Sequence, residues 1–230
     1  MSAHEVGKQV RRDRILEAAE ELIRRRGDIQ FGMRELAEKA GVSPATPFNL
    51  FGSKGQVLWA LLERDLGKQR QRIADDVETD PVERVLGLAR RAVLTYARDE
   101  RLFRPLLSAV VSTNMLMPAL LDRFTDLWHD ALEEAEARRQ LAADIDPALL
   151  ARQLHLEYRA GLTLWLRGEV DVKGWNLHLM HGVLLVLRGS MTPRAAEKLH
   201  ARLVSVQKKL AAAHRAKRSP KQTSKRRSAR

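Results

Sequence analysis

No cysteine occurs anywhere in the 230 residues. That excludes a disulfide framework, a thiolate metal site and a cysteine nucleophile. Long apolar runs are also missing. The longest one near the C-terminus, Val183 to Leu187, is far too short to span a bilayer. The opening stretch MSAHEVGKQVRRDR is basic but has no apolar segment, so it does not read as a secretory signal. Alternating strand patterning and internal repeats are absent. So are a His/Asp/Glu metal spacing, a Gly-rich phosphate loop and a nucleophile elbow. His178 and His181 stand i, i+3 on one predicted helix, but no carboxylate is near them in sequence. The expectation is an all-α, soluble, cytoplasmic protein that is not an enzyme, has no membrane segment and takes no metal or cofactor.

The positive charge that is present is unevenly placed. The formal net charge is +12, and residues 215–230 hold eight Lys and Arg and no acid, which leaves +4 for residues 1–214. A mildly basic body with a basic end is weak support for nucleic-acid binding until a motif accompanies it.

Helical periodicity covers nearly the whole chain. A first helix is predicted from about Arg11 to Arg26, with Ile15, Ala19, Leu22 and Ile23 as its apolar stripe and Gly27 as its end. A second covers about Met33–Ala40 and a third about Pro44–Phe51. Gly52-Ser53 breaks the third, and Ser53 caps a fourth running from Lys54 to about Ile73. Asp80-Pro81-Val82-Glu83 is a strong helix start, with Asp80 as cap, Pro81 in the first position and Glu83 reaching back as in a capping box. Further helices follow around Leu102–Val111, from Pro118 to about Arg139, from Asp146-Pro147 to near Gly168, and over 173–188. The last runs from Thr192-Pro193 to near His214. The predicted organisation is a helix-turn-helix head at 1–55, a larger helical regulatory and dimerisation domain at 56–214, and a basic disordered tail at 215–230.

The most informative stretch is GVSPATPFNLFGSKGQVL at 41–58, directly behind MRELAEKA at 33–40. Gly41 can take positive φ and end the second helix without a Cβ penalty. Ser43 is a good N-cap, and Pro44 behind it suits the first helical position. Two short helices joined this tightly leave the second one projecting, which is the geometry that enters a DNA major groove.

Ile15-Leu16-Glu17-Ala18-Ala19 with Leu22, then Leu36-Ala37-Glu38-Lys39-Ala40-Gly41-Val42-Ser43, then Ala45-Thr46-Pro47-Phe48-Asn49-Leu50-Phe51, then Ser53-Lys54 with Val57-Leu58, follow one known pattern in order and spacing over residues 11–62. In this the chain resembles the TetR (tetracycline-repressor-like) family of bacterial transcription regulators. Residues 80–214 resemble it in architecture only. The resemblance implies an all-helical homodimer with a DNA-binding head and a regulatory body, most simply a ligand-responsive repressor on a palindromic operator. Some positions depart from the pattern. Pro47 stands where the family usually has leucine, Phe48 replaces tyrosine, Leu50 replaces histidine, and Gly32-Met33 replaces a threonine pair. With Ser43 as cap, Pro47 is the fourth helical residue, and its missing N–H predicts a distorted or rotated first turn.

The candidate DNA-contacting residues are Arg34, Ser43, Pro44, Ala45, Thr46, Phe48, Asn49 and Lys54. Ala45 permits close approach, and Thr46 offers a methyl and a hydroxyl. Asn49 can pair bidentately with an adenine edge, and Phe48 gives apolar contact to sugar or thymine methyl. Lys54, at a helix start where free N–H groups favour an anion, is the leading phosphate clamp, and Arg34, Lys8, Arg11 and Arg12 are further ones. Each residue also admits a plainer role: Thr46 as packing, and Asn49, Lys54 and the arginines as solvated side chains. Val42, Leu36, Phe51 and Ala40 are assigned to the head's core.

The segments at about 147–168 and 173–188 are apolar on more than one face, and Gly161 and Gly182 permit close approach. Two such helices per subunit form a four-helix dimer interface, or else are central core helices. For an effector pocket the candidates are Phe103, Met115, Met117, Phe124, Trp128, Tyr158 and Trp165, with His155 as a polar anchor. The core reading of each is also open. The other function class is an architectural, nucleoid-type DNA-binding protein acting through its basic tail.

Overall fold

The structure is a computed structural model that describes residues 2–74, 80–112 and 117–218, with the side chains of 66, 68–74, 112, 117–124, 217 and 218 outside the description. Among the described residues there are ten α-helices: α1 (Ala3–Arg26), α2 (Met33–Lys39), α3 (Thr46–Phe51), α4 (Lys54–Ala74), α5 (Pro81–Arg98), α6 (Glu100–Ser112), α7 (Met117–Ala137), α8 (Pro147–Leu166), α9 (Val172–Ser190) and α10 (Pro193–Arg218). Among the described residues there is no strand, only an isolated antiparallel bridge between Leu141 and Met191. The chain is all-α, as its periodicity predicts. No described helix is long and apolar enough to cross a membrane.

The described residues fall into two compact units. The first holds α1–α4, the end of α5, α6 and the start of α7. The stripe Ile15, Ala19, Leu22 and Ile23 is fully buried, and it meets Leu36 and Ala37 of α2, Val57, Leu61 and Leu62 of α4, and Leu102 and Leu106 of α6 in one core. Glu20 joins α1 to α4 by accepting from Arg64, and Arg24 pairs with Asp99 at 2.5 Å ahead of α6. α1 starts eight residues before the predicted Arg11. Ser2 Oγ accepts from the Glu5 N–H at 3.3 Å, and helix propagates through residues 3–13 although Val6 and Val10 there are exposed. Periodicity cannot find a segment that is helical without burying a face.

The second unit holds α5 up to Leu94, α7 from Leu121, and α8–α10. Its helix starts follow the local signals. Asp80 accepts from the N–H groups of Val82 and Glu83, Asp146 from those of Ala148 and Leu149, and Asp171 from that of Gly174. The expected return bond from Glu83 is not made. Arg202 Nη1 of α10 donates to both its carboxylate oxygens, at 2.6 and 2.8 Å, and a full charge outcompetes a single backbone N–H. Gly161 and Gly182 sit where α8 and α9 touch. A Cβ on Gly161 would lie 2.5 Å from Trp175 Nε1, and one on Gly182 would overlap the Glu157 carboxylate. α10 stays helical through Arg218, so residues 215–218 are not the start of a disordered tail, and the remainder of that predicted tail lies outside the described residues.

Candidate nucleic-acid interface

The surface that matters begins with how α2 ends. Ala40 closes the helix, Gly41 takes φ +62°, the Gly41 N–H bonds the Glu38 carbonyl (3.0 Å) and the Val42 N–H bonds the Ala37 carbonyl (3.0 Å). This pair of bonds is the Schellman ending, and the left-handed residue in it is the glycine. Gly41 is fixed from a second side, because Arg14 Nη2 of α1 donates to its carbonyl at 3.0 Å.

The predicted start of α3 needs correction. Ser43 is not its N-cap, and Pro44 is not in its first position. Ser43 to Ala45 form a turn closed by the Thr46 N–H on the Ser43 carbonyl (2.9 Å). The first helical bond is from the Asn49 N–H to the Ala45 carbonyl at 3.0 Å. Pro47 is therefore the second helical residue, where no intrahelical N–H is needed. The chain has moved the helix start two residues on, so the proline fits without a distorted turn. The Ser43 and Thr46 hydroxyls lie 2.7 Å apart and share a hydrogen bond.

Three cations near this element turn inward, two of them onto it. Arg12 Nη1 donates to the Leu50 carbonyl at 2.7 Å, and its guanidinium lies 4.3 Å over the Phe51 ring. Arg14 holds Gly41. Lys54 Nζ donates to the Ile29 carbonyl and sits 4.8 Å from the centre of the Phe31 ring, itself buried. Burial pushes the Lys54 ammonium below its ordinary pKa, against the pull of Asp28. Arg12 and Lys54 thus face the protein, each on a carbonyl and an aromatic ring. Phe31, Arg12 and Arg14 were not legible as a set, because their partners lie 23 to 39 residues away in sequence or, for Phe31, carry no motif.

What remains outward is compact. Pro44, Ala45, Phe48 and Asn49 are exposed, with Phe48 49% accessible, and Ser43 and Arg34 are exposed beside them. Ala45, Phe48 and Asn49 are spaced i, i+3, i+4 and share one face. Thr46 is half-buried. Leu36, Ala40 and Phe51 are buried as expected, and Val42 is half-buried. Lys8 and Arg11 are exposed on the first turns of α1. The face offers an amide, a phenyl ring, a small side chain and flanking cations, which suits it to base edges, thymine methyls and phosphates.

The effector candidates separate. Trp128, Tyr158 and Trp165 come together in the second unit with His155 and Trp175. Ring centres step 6.2 Å from Trp128 to Tyr158, 5.7 Å to Trp175 and 5.3 Å to Trp165, the last pair stacked, with His155 6.2 Å from Trp128 and 6.0 Å from Tyr158. All five are buried. Phe103 belongs to the first unit, edge-on to Tyr96 at 5.2 Å. Met115 and the side chains of Met117 and Phe124 lie outside the described residues. His178 packs against His214 at 5.3 Å. Among the described residues, the one group with metal-ligand spacing is His129, Asp130 and Glu133 on α7, whose two acids are exposed.

Residues 15–61 match the family described as "Bacterial regulatory proteins, tetR family". The chain is 41% identical over 83 residues to the HTH-type transcriptional regulator BetI of Rhizobium meliloti (strain 1021), covering 35% of this chain and 41% of that protein. It is 42% identical over 78 residues to an uncharacterized HTH-type transcriptional regulator of Mycobacterium tuberculosis, covering 32% and 38%. The chain therefore spans about two fifths of the curated relatives it matches. Among solved structures it is similar to SmeT, the repressor of the Stenotrophomonas maltophilia multidrug efflux pump SmeDEF, with TM-score 0.64, 24% identity, and 79% and 91% of the two chains covered. It is also similar to a TetR transcription regulator from Haloarcula marismortui, with TM-score 0.65, 15% identity and 79% and 98% covered. At those identities the likeness shows the fold.

Proposed function

We propose that this chain is a member of the tetR family of bacterial regulatory proteins, and within it a cytoplasmic, sequence-specific DNA-binding transcription regulator and a ligand-responsive repressor. Proteins of this family are regulators and not enzymes. The observation that carries the reading is the exposed face of Ala45, Phe48 and Asn49, held on a short helix by Arg12 on the Leu50 carbonyl and Arg14 on the Gly41 carbonyl. Asn49 reads an adenine edge and Phe48 a thymine methyl. Ser43, Pro44, Ala45 and Thr46 bring the backbone close, and Arg34 with the exposed α1 cations contacts phosphate. Lys54 orders the loop at Ile29 and also lends positive potential.

One such helix gives too little contact for tight binding, so the partner is a palindromic operator read by a homodimer. Leu149 and Leu156 of α8 and Leu185 of α9 are 66%, 47% and 48% exposed on two helices that pack together, which supports a dimer face there. The aromatic train from Trp128 to Trp165 is the place for a small apolar effector, which would have to displace packed rings to enter.

Selection of bound duplexes from a random pool, using the full chain, tests this. The expected result is an inverted-repeat consensus, with Asn49→Ala relaxing one base position per half-site by about 1–3 kcal/mol. A pool that stays random would sink the reading and favour the architectural one. That alternative rests on the eight basic residues at 215–230.

A further inference from the structure

The α7–α8 connection is tied to the α9–α10 connection by the Leu141–Met191 bridge and by two backbone bonds, from the Ala142 N–H to the Ser190 carbonyl (3.0 Å) and from the Thr192 N–H to the Gln140 carbonyl (2.8 Å). Beside this tie, between the starts of α5 and α10 and the end of α7, lies a cavity of about 280 Å³. None of its lining residues belongs to the aromatic train or to the DNA-facing surface. Its apolar part is Val82 and Leu199, 8% and 3% exposed, with Ala195 beside them.

The charges around it do not balance. Both acids in the wall already have hydrogen-bond donors. Glu83 takes Arg202, and Asp80 takes two backbone N–H groups and the Gln140 amide at 3.4 Å. Arg138 is paired with Glu134 outside the cavity. Arg139, Arg194 and Lys198 also line it, and among the described residues their side chains have no ion pair or hydrogen bond. Arg139 is placed there by the Schellman ending of α7, in which it takes φ +54° without being glycine. Gln140 spends its amide nitrogen on Asp80, while its Oε1 is buried with no hydrogen-bond partner among the described residues, so the wall also presents an acceptor in need of a donor.

We propose that this cavity binds a small hydroxy-carboxylate. The carboxylate is held by Arg139, Arg194 and Lys198, the apolar body lies on Val82 and Leu199, and a hydroxyl donates to Gln140 Oε1. Four cations against two acids leave the lining with a surplus of two positive charges, which calls for an anion. The apolar part leaves inorganic phosphate with nothing to fill it, and the concavity does not suit a DNA backbone. The volume is at the small end of ligand pockets, roughly 300–1,000 Å³, so the body is one ring or a short chain. The inference does not rest on the DNA-binding reading, and its test involves no DNA.

The experiment is isothermal titration calorimetry of the full chain with 4-hydroxybenzoate, benzoate, neutral benzamide and inorganic phosphate, in about 0.15 M salt to screen the basic tail. The expected result is saturable binding of 4-hydroxybenzoate at one site per chain, weaker binding of benzoate, and none of benzamide. Arg194→Ala/Lys198→Ala should weaken it at least tenfold without moving the melting temperature, since both side chains are exposed. No saturable heat with 4-hydroxybenzoate up to about 10 mM, beyond the roughly millimolar affinity worth about 4 kcal/mol, would overturn the proposal. So would equal binding of benzamide or phosphate, or a double variant that binds as well as the wild type.

Discussion

Gly161 is the sharpest place to test the packing of the second unit. In Gly161→Ala the new methyl would sit 2.5 Å from Trp175 Nε1, well inside contact distance. Trp175 cannot give way cheaply. It is fully buried, stacked on Trp165 at 5.3 Å and tilted against Tyr158 at 5.7 Å. Overpacking of this kind costs about 1–3 kcal/mol, and a shifted ring train puts the case at the upper end. Alanine regains about 1 kcal/mol of helix propensity. The net expectation is a loss of about 1–2 kcal/mol, or roughly 2–8 °C in Tm for a chain of this size. Gly189→Ala is the control. It is in the last turn of α9 with nothing within 4 Å of the added carbon, so it should be neutral or stabilise by up to about 0.5 kcal/mol. Urea unfolding followed by near-ultraviolet circular dichroism reads both, because three of the four tryptophans are in the train. A Gly161→Ala protein as stable as the control, with an unchanged aromatic spectrum, would refute the reasoning.

Three further substitutions test the candidate interface and one strained position. Pro47→Leu should destabilise by up to about 1 kcal/mol, because a proline in the first turn of α3 costs no bond and restricts the unfolded chain; a higher Tm would mean the turn is strained after all. Arg12→Ala should cost about 1–2 kcal/mol in urea titration through the lost Leu50 and Phe51 contacts. It should also lower operator affinity while leaving the slope of log K on log salt alone, whereas a phosphate contact would change that slope by roughly 0.9. Arg139→Gly should raise Tm, since the left-handed conformation costs a non-glycine residue about 1–2 kcal/mol and glycine's extra unfolded-state entropy returns only about half of that.

How much of this was legible depended on how far each interaction reaches along the chain. Asp80, Asp146 and Gly41 act on backbone groups within a few residues, and the structure has them capping or ending helices as the local pattern predicts. The stripe Ile15, Ala19, Leu22 and Ile23 was readable for a related reason, because a repeated burial pattern on one helix needs no knowledge of what covers it. Even so, the pattern did not reveal that α6 belongs with α1 and α4, since that depends on partners some 80 residues apart for α1 and about 45 for α4. The start of α3 failed differently. Ser43-Pro44 is a good helix opening, but only a start at Thr46 keeps Pro47 out of the position that needs an N–H.

The long cations mark the boundary between the motif and its use. A lysine at the first residue of a helix can point its ammonium outward to an anion or fold it back onto a carbonyl, and both choices satisfy the same sequence signal. For Lys54 the loop ahead of α2 decides, because it offers the Ile29 carbonyl and the face of Phe31 together, 25 and 23 residues upstream. Arg12 meets the same pairing of a carbonyl and a ring at the end of α3. Both side chains that look best suited to grip phosphate are therefore engaged within the protein, Arg12 at the end of α3 and Lys54 on the loop ahead of α2. The exposed face is left to short side chains and one phenyl ring, which favours recognition by fit over recognition by charge. On that argument Phe48→Ala should change operator preference more than Lys54→Met does, and paired selections from one random pool would show it; the reverse order would return Lys54 to the interface.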